Sequence, residues 1–340
     1  MVAGGCLHLL VPGLLGPVPA QLRDLVGDRN VVPVTERLLS RASRLRARAP
    51  AGVEPWPAAF AGAGAIGVLG AGSDPGDAFW YCADPVHLRP DRDRLMLFGG
   101  EPVRLDDSER ERVVEAFNDL FGNDGFTLVA LGNALFLRVE RPPAGSAPPP
   151  HATREVSGRY LDAFLPEGEE GREWRQLLNE TQMLLHGQPF NAEREARGLL
   201  SVNGLWFWGG GRLPGAGGGS DLEACLTDDP VLAGLARQRG ARVGGAVERL
   251  SQIRASHGDV AVHWSAADDA LTGGDVEGWL AALQHFEQAW ASEAESALAG
   301  GTWAEIRVYA GGDRGFRWTP GVRRRFWRRT RALKSWLERA

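Results

Sequence analysis

Short apolar runs alternate with stretches whose apolar positions recur at three- and four-residue intervals. That pattern points to an α/β protein with a largely parallel sheet. Residues 6–11, 65–69, 205–208, 259–264 and 305–309 read as strands. Helices are predicted over 35–49, 174–186, 230–238 and 276–297. In the last of these, Val276, Leu280, Leu283, Phe286 and Trp290 recur at helical spacing, and Asp275 stands where an N-cap belongs. Those aromatics read as core.

Residues 77–140 follow a different pattern. Segments 78–82 and 95–98 are expected to pair. A helix follows over 107–121, with Ser108 and Glu111 at capping-box spacing. Segments 127–131 and 135–139 then form a tight hairpin around Gly132-Asn133. This ββαββ unit reads as a small α+β insert over 73–141. A Pro-rich linker over 142–150 leads back to a main α/β core made of 1–72 and 151–315. Residues 316–340 are expected to form a basic amphipathic C-terminal helix. There Arg323, Arg324, Arg325, Arg328, Arg329, Arg331 and Lys334 accompany Phe326, Leu333, Trp336 and Leu337. Such a helix suits an acidic partner, nucleic acid or a membrane surface, or it docks on the chain's own acidic body.

A length of 340 residues gives ample core for one large or two medium domains. The net charge of −5 makes no overall case for nucleic acid or an anionic membrane. Cys6, Cys82 and Cys225 are far apart and lack CxxC spacing, which fits buried thiols in a reducing compartment. The apolar run 6–15 has no Lys or Arg before it and is too short to span a bilayer, so no transmembrane segment and a cytoplasmic location are expected.

The richest stretch in candidate chemistry runs from 179 to 211: a polar, Arg- and Asn-bearing helix pattern, then Leu205-Trp206-Phe207-Trp208 and three glycines. Asn191, Arg194, Arg197 and Asn203 suit an anion or sugar phosphate, because Arg offers a bidentate fork and Asn both donates and accepts. Alternatively, Asn191 caps a helix and Arg194 pairs with Glu180 or Glu193. Trp206 and Trp208 point to one face of a strand, where they either floor a pocket or pack beneath a helix. His87 and His186 fit surface or capping roles.

The spacing Asn191-x2-Arg194-x3-Gly198-x4-Asn203-x2-Trp206-x-Trp208-Gly209-x-Gly211 resembles the signature of archaeal-type cofactor-independent phosphoglycerate mutases. Leu165-Pro166-Glu167-Gly168 and Val262-His263-Trp264-Ser265-Ala266-Ala267-Asp268-Asp269 extend the resemblance. Ala83-Asp84-Pro85-Val86-His87-Leu88 is similar to a bacterial group of RpfE-type regulatory proteins, themselves related to these mutases. The resemblance implies an alkaline-phosphatase-like, mostly parallel sheet flanked by helices and carrying the insert. It also implies chemistry in which two divalent ions, such as Mn or Zn, activate a serine for phosphoryl transfer.

Two ions need about six or more carboxylate and imidazole ligands, and the family's positions for them are altered here. The family's Asp-Gly after the first strand is replaced by Leu10-Val11-Pro12-Gly13. The nearest hydroxyls for a nucleophile, Thr35, Ser40 and Ser43, lie on a predicted helix without the flanking motif. After His263 and Asp268, the family's glutamate is Ser265 and its second histidine is Thr272; no histidine follows His285. His263 and Asp268 therefore stand as relics of a metal site, with a buried structural histidine and turn or cap aspartates, Asp269 included, as the plainer readings. The expectation is a metal-free, catalytically inactive relative with no cofactor, which binds a phosphorylated small molecule or regulates. The alternatives are an active mutase or phosphatase with a rearranged metal site, and an adaptor working through its basic C-terminal segment.

Overall fold

The computed structural model describes residues 5–16, 18, 23, 26, 31–46, 49–50, 52–54, 56, 59–140, 151–165, 168 and 171–337. The expected linker over 142–150 and part of the 165–168 motif lie outside them. Strands β1 (Cys6–Leu10), β2 (Ser43–Arg46), β3 (Phe79–Asp91), β4 (Arg94–Phe98) and β5 (Phe126–Leu131) come first in the chain. They are followed by β6 (Ala134–Val139), β7 (Arg159–Tyr160), β8 (Gly204–Gly211) and β9 (Leu222–Leu226). The last are β10 (Arg242–Gly244), β11 (Asp259–His263), β12 (Glu305–Tyr309) and β13 (Arg314–Trp318).

Two sheets result. The first has the order β10-β9-β11-β1-β12-β13-β2, parallel from β10 to β12 and antiparallel at β13 and β2. β1 sits at its middle and is buried along its whole length, as a parallel strand covered on both faces should be. Leu7, Leu9, Val260, Val262, Ile306 and Val308 belong to one core with the aromatics Trp279, Phe286 and Trp290. The second sheet has the order β5-β6-β3-β4-β7, with β8 also paired to β3. The chain is thus α/β, with a central sheet flanked by helices.

The 13-residue β3 changes the expected pairing of the insert. Its first part, Phe79 to Cys82, pairs with β6, while His87 to Asp91 pairs with β4; 78–82 and 95–98 are not neighbours. β8, from beyond residue 141, completes this sheet along Trp80 to Val86. The 107–121 helix forms as expected, but its capping box is Asp106 with Glu109 rather than Ser108 with Glu111. Asp106 has extended backbone, the conformation a cap needs.

Four other expectations are corrected. Residues 65–69 are helical, within Ala63–Gly70. An apolar run this short has no period of its own, and its small residues let the helix lie against β3 and against the helix Pro230–Gln238. The 35–49 helix stops at Arg41, where extended Ala42 turns the chain into β2 to pair with β13. The 276–297 helix is interrupted by a π-helical turn, Phe286–Ala291, that seats Phe286 and Trp290 in the core. Finally, 316–340 does not form one helix: β13 ends at Trp318, a 3₁₀ turn spans Pro320–Arg324, and a short helix spans Leu333–Leu337. Arg325 and Arg328 instead donate to the carbonyls of Arg41 and Ala42, satisfying the end of the Pro33–Arg41 helix. No helix among the described residues is long and apolar enough to cross a membrane.

Candidate functional site

The carboxyl ends of parallel strands are where loops of an α/β sheet converge on ligands. Here β9 leads into Thr227-Asp228-Asp229 and β11 ends at His263, followed by Ser265, Asp268 and Asp269. Asp84 of β3, Trp208 of β8, and Thr153 and Arg154 face them from the second sheet's side. With Asp228, Asp229, His263, Ser265, Asp268 and Asp269 they line a cleft of about 300 Å³.

Each polar group in it has a defined setting. Asp229 caps the Pro230–Gln238 helix by accepting from the Val231 and Leu232 amides at 2.8 and 2.9 Å, and its other oxygen accepts from Trp56 Nε1 at 3.0 Å. Asp84 accepts from Trp208 Nε1 at 2.8 Å and from the Thr153 hydroxyl. Burial raises the Asp84 carboxyl, and those two hydrogen bonds oppose the rise. Asp269 accepts from Ser265 Oγ at 2.7 Å, yet burial still pushes it up to about 6. Burial also raises Asp268, against the pull of Arg154. The Arg154 guanidinium lies 3.9 Å from Asp229 Oδ2 and 3.9 Å from Asp268 Oδ2, with Trp56 beneath it.

His263 is the sole imidazole in the lining. Burial lowers it, so it is neutral at pH 7. Thr227 Oγ1 accepts from the Asp229 amide and lies 3.1 Å from His263 Nδ1. The two atoms share one hydrogen bond, whose direction is set by the imidazole tautomer. Nε2 is buried with no partner among the described residues.

The other candidates separate into two groups. Trp208, His263 and Asp268 meet in the cleft; Asn191, Arg194, Arg197, Asn203 and Trp206 do not line it. Asn191 donates to the Leu185 and Val202 carbonyls and accepts from the Val202 amide. Arg194 is 1% exposed and donates to three carbonyls and to Glu109, at 2.7 Å. Arg197 binds the same carboxylate at 2.6 Å. The partner of Arg194 is therefore neither Glu180 nor Glu193, and its fork braces the protein rather than facing a ligand. Asn203 exchanges two hydrogen bonds with the Leu88 backbone, and Trp206 donates to the His151 carbonyl.

Sequence reading missed Asp84, Arg154, Asp228 and Asp229 as site residues. The signal was present for two of them: Thr-Asp-Asp-Pro closes an apolar strand and opens a helix, at the carboxyl end of a parallel strand. Asp84 comes from the other sheet and Arg154 from the short helix Thr153–Val156, and only the tertiary fold brings them in.

The chain is similar to 2,3-bisphosphoglycerate-independent phosphoglycerate mutases. It is 26% identical over 222 residues to a probable one from Geobacter sulfurreducens, covering 59% of this chain and 55% of that protein. It is 27% identical over 178 residues to one from Methanosarcina mazei, covering 47% of this chain and 43% of that protein. The chain therefore spans about half the length of the curated relatives it matches. A solved cofactor-independent phosphoglycerate mutase from Thermoplasma acidophilum aligns over 98% of this chain and 94% of its own, with a TM-score of 0.40 and 18% identity. At that distance the fold rests on the strand order above. No protein-family model matches the chain.

A two-ion centre of the kind the resemblance implies does not fit the cleft's donors. One imidazole is present, and Asp84, Asp229 and Asp269 already accept hydrogen bonds from the protein. Arg154 occupies the space between Asp229 and Asp268. Among the described residues, the three-donor group within 4.8 Å of one another is Cys6, His8 and Asp259, outside the cleft.

Proposed function

We propose that this chain is a metal-free, phosphoglycerate-mutase-like protein of the alkaline-phosphatase superfamily that binds a small polar ligand in the cleft between its sheets. In this reading the role is binding or regulation, as the resemblance to RpfE-type proteins implies, and not phosphoryl transfer. The observation that carries it is Arg154, a fixed cation within 3.9 Å of both Asp229 and Asp268. A guanidinium balances the carboxylates as a metal would, but it has no empty orbital with which to coordinate a phosphoryl oxygen or a nucleophile as a Lewis acid. A phosphorylated acid would meet the guanidinium groups of Arg104, Arg110 and Arg154 in the cleft lining.

The test is a melting-curve titration with 3-phosphoglycerate, alongside a mutase and phosphatase assay with and without Mn²⁺. The expected result is stabilisation by 3-phosphoglycerate, lost in Arg154→Met, with no turnover in either condition. Mn²⁺-dependent turnover that disappears in Asp268→Asn would overturn the reading in favour of a rearranged metal site.

A second reading, recruitment of an acidic partner, is favoured by one surface. Phe326 and Trp327 are 77% and 67% exposed and touch edge to face. Arg324 and Arg329 beside them have no carboxylate partner among the described residues.

A further inference from the structure

The central sheet carries a second concentration of chemistry at the amino ends of its strands, away from the cleft. In the register of β11, β1 and β12, Cys6 lies beside Glu305, and His8 lies beside Ala261 and Arg307. Cys6 and His8, two residues apart on β1, point to the same face. Leu7 and Leu9 point to the other, into the apolar core. Asp259 opens β11, and its carboxylate reaches both Cys6 and His8. The Cys6 thiol, an imidazole nitrogen of His8 and a carboxylate oxygen of Asp259 all lie within 4.8 Å of one another.

The outer atoms of two of these groups are already held. His8 Nδ1 is 3.0 Å from the Tyr309 hydroxyl, whose ring stacks on the imidazole, so Nε2 is turned inward. Asp259 Oδ1 accepts from the Cys6 amide at 2.9 Å, so Oδ2 is turned inward. Nε2 and Oδ2 are 3.3 Å apart, the spacing of two ligands on one tetrahedral ion with metal–ligand bonds of about 2.0 Å. Holding the far nitrogen of a histidine is how proteins fix metal-bound imidazoles. Cys6 and His8 are buried, whereas the Asp259 side chain is 33% exposed, which gives an ion and a water ligand a way in.

We propose that Cys6, His8 and Asp259 form a site for a divalent transition-metal ion, with Zn²⁺ the best match to a thiolate, imidazole and carboxylate set. Tyr309 is its positioning residue. On binding, the Cys6 S–H bond breaks, the sulfur pair forms the metal–sulfur bond, and the proton passes to solvent. Thiolate and carboxylate then neutralise the ion's two charges. Glu305 stays outside the set because Arg307 and Arg317 hold its two oxygens. The site stands independently of the reading of the cleft.

Titration of the untagged full chain with Co²⁺ tests it. One equivalent should bind, with the near-ultraviolet charge-transfer band of a cobalt thiolate, and Zn²⁺ should displace it. Binding in weak buffer should release about one proton per ion, because a thiol must lose its proton to become a metal ligand. Cys6→Ser should abolish the band with the circular dichroism unchanged, and Tyr309→Phe should weaken binding about tenfold. A wild-type chain without band or proton release overturns the proposal. So does a band that persists in Cys6→Ser, which would place the ion on Cys82 or Cys225.

Discussion

Asp269 shows how burial in the cleft can be measured. It rises from 3.8 to about 6 because burial disfavours its charged form, and Ser265 opposes this only in part. A carboxyl raised in the folded state contributes stability that is fully present below its unfolded pKa. That contribution is lost as pH climbs through the folded value. Asp84 and Asp268 act in the same direction. His263, lowered by burial, acts oppositely: its contribution is present above about 6.5 and is lost as pH falls through its lowered value. Asp269→Asn keeps the size and the acceptor while removing the titration. Urea unfolding should show the variant gaining on the order of 1–2 kcal/mol over the wild-type chain at pH 7 and about nothing near pH 4. An equal difference at both pH values would mean that the Asp269 carboxyl is solvated.

At the scale of elements, a close helix pair, Ala63–Gly70 against Pro230–Gln238, helps to join the two sheets. The pair is close because it meets at glycines. A Cβ on Gly234 would stand 1.9 Å from the Ile66 carbonyl oxygen, and one on Gly70 would stand 1.8 Å from that of Pro230. These are backbone atoms, so Gly234→Ala must push the helices apart and should cost at least about 3 kcal/mol, read as a lower urea midpoint. A loss under about 0.5 kcal/mol would show that the contact is loose. This pair also marks where sequence reading fails. Pro230–Gln238 has a capping Asp, a proline at its start and a clear period, and it was legible to the residue. Ala63–Gly70 has neither cap nor period: its N-cap is Gly62 at φ 87°, and its helical state is set by what it packs against. β12, with alternating burial, was equally legible. β2 was not, because only pairing with β13 makes Ser43–Arg46 a strand.

At the scale of the whole molecule, the residues after β13 combine anchoring with display. Val322, Leu333, Trp336 and Leu337 are buried in the same core as β1, so removing 320–340 would unfold more than a tail. Phe326 and Trp327 project between them. Replacing both with Ser and reversing Arg324 and Arg329 to Glu should leave the melting temperature unchanged while reducing retention on immobilised polyglutamate at least about tenfold. Unchanged retention would remove the acidic-partner reading. The site was half legible for a related reason. His263 and Asp268 lie at and just after the end of a recognisable strand, whereas Asp84 enters from another sheet and Arg154 from a short helix. The Asn and Arg residues of 191–203 have the chemistry of a ligand site but spend it on the backbone and on Glu109.

The sheet order also governs how the chain can fold as it leaves the ribosome. β5 and β6 meet across a two-residue turn and can pair within microseconds of emerging. β1 must wait for partners far downstream: its contacts to Asp259 and Tyr309 span 253 and 301 residues. Until β11 and β12 are synthesised, the apolar β1 has no native neighbour. The nascent protein therefore carries an apolar strand without its sheet partners while the 253 residues from Cys6 to Asp259 are made, and this is a segment a chaperone would shield.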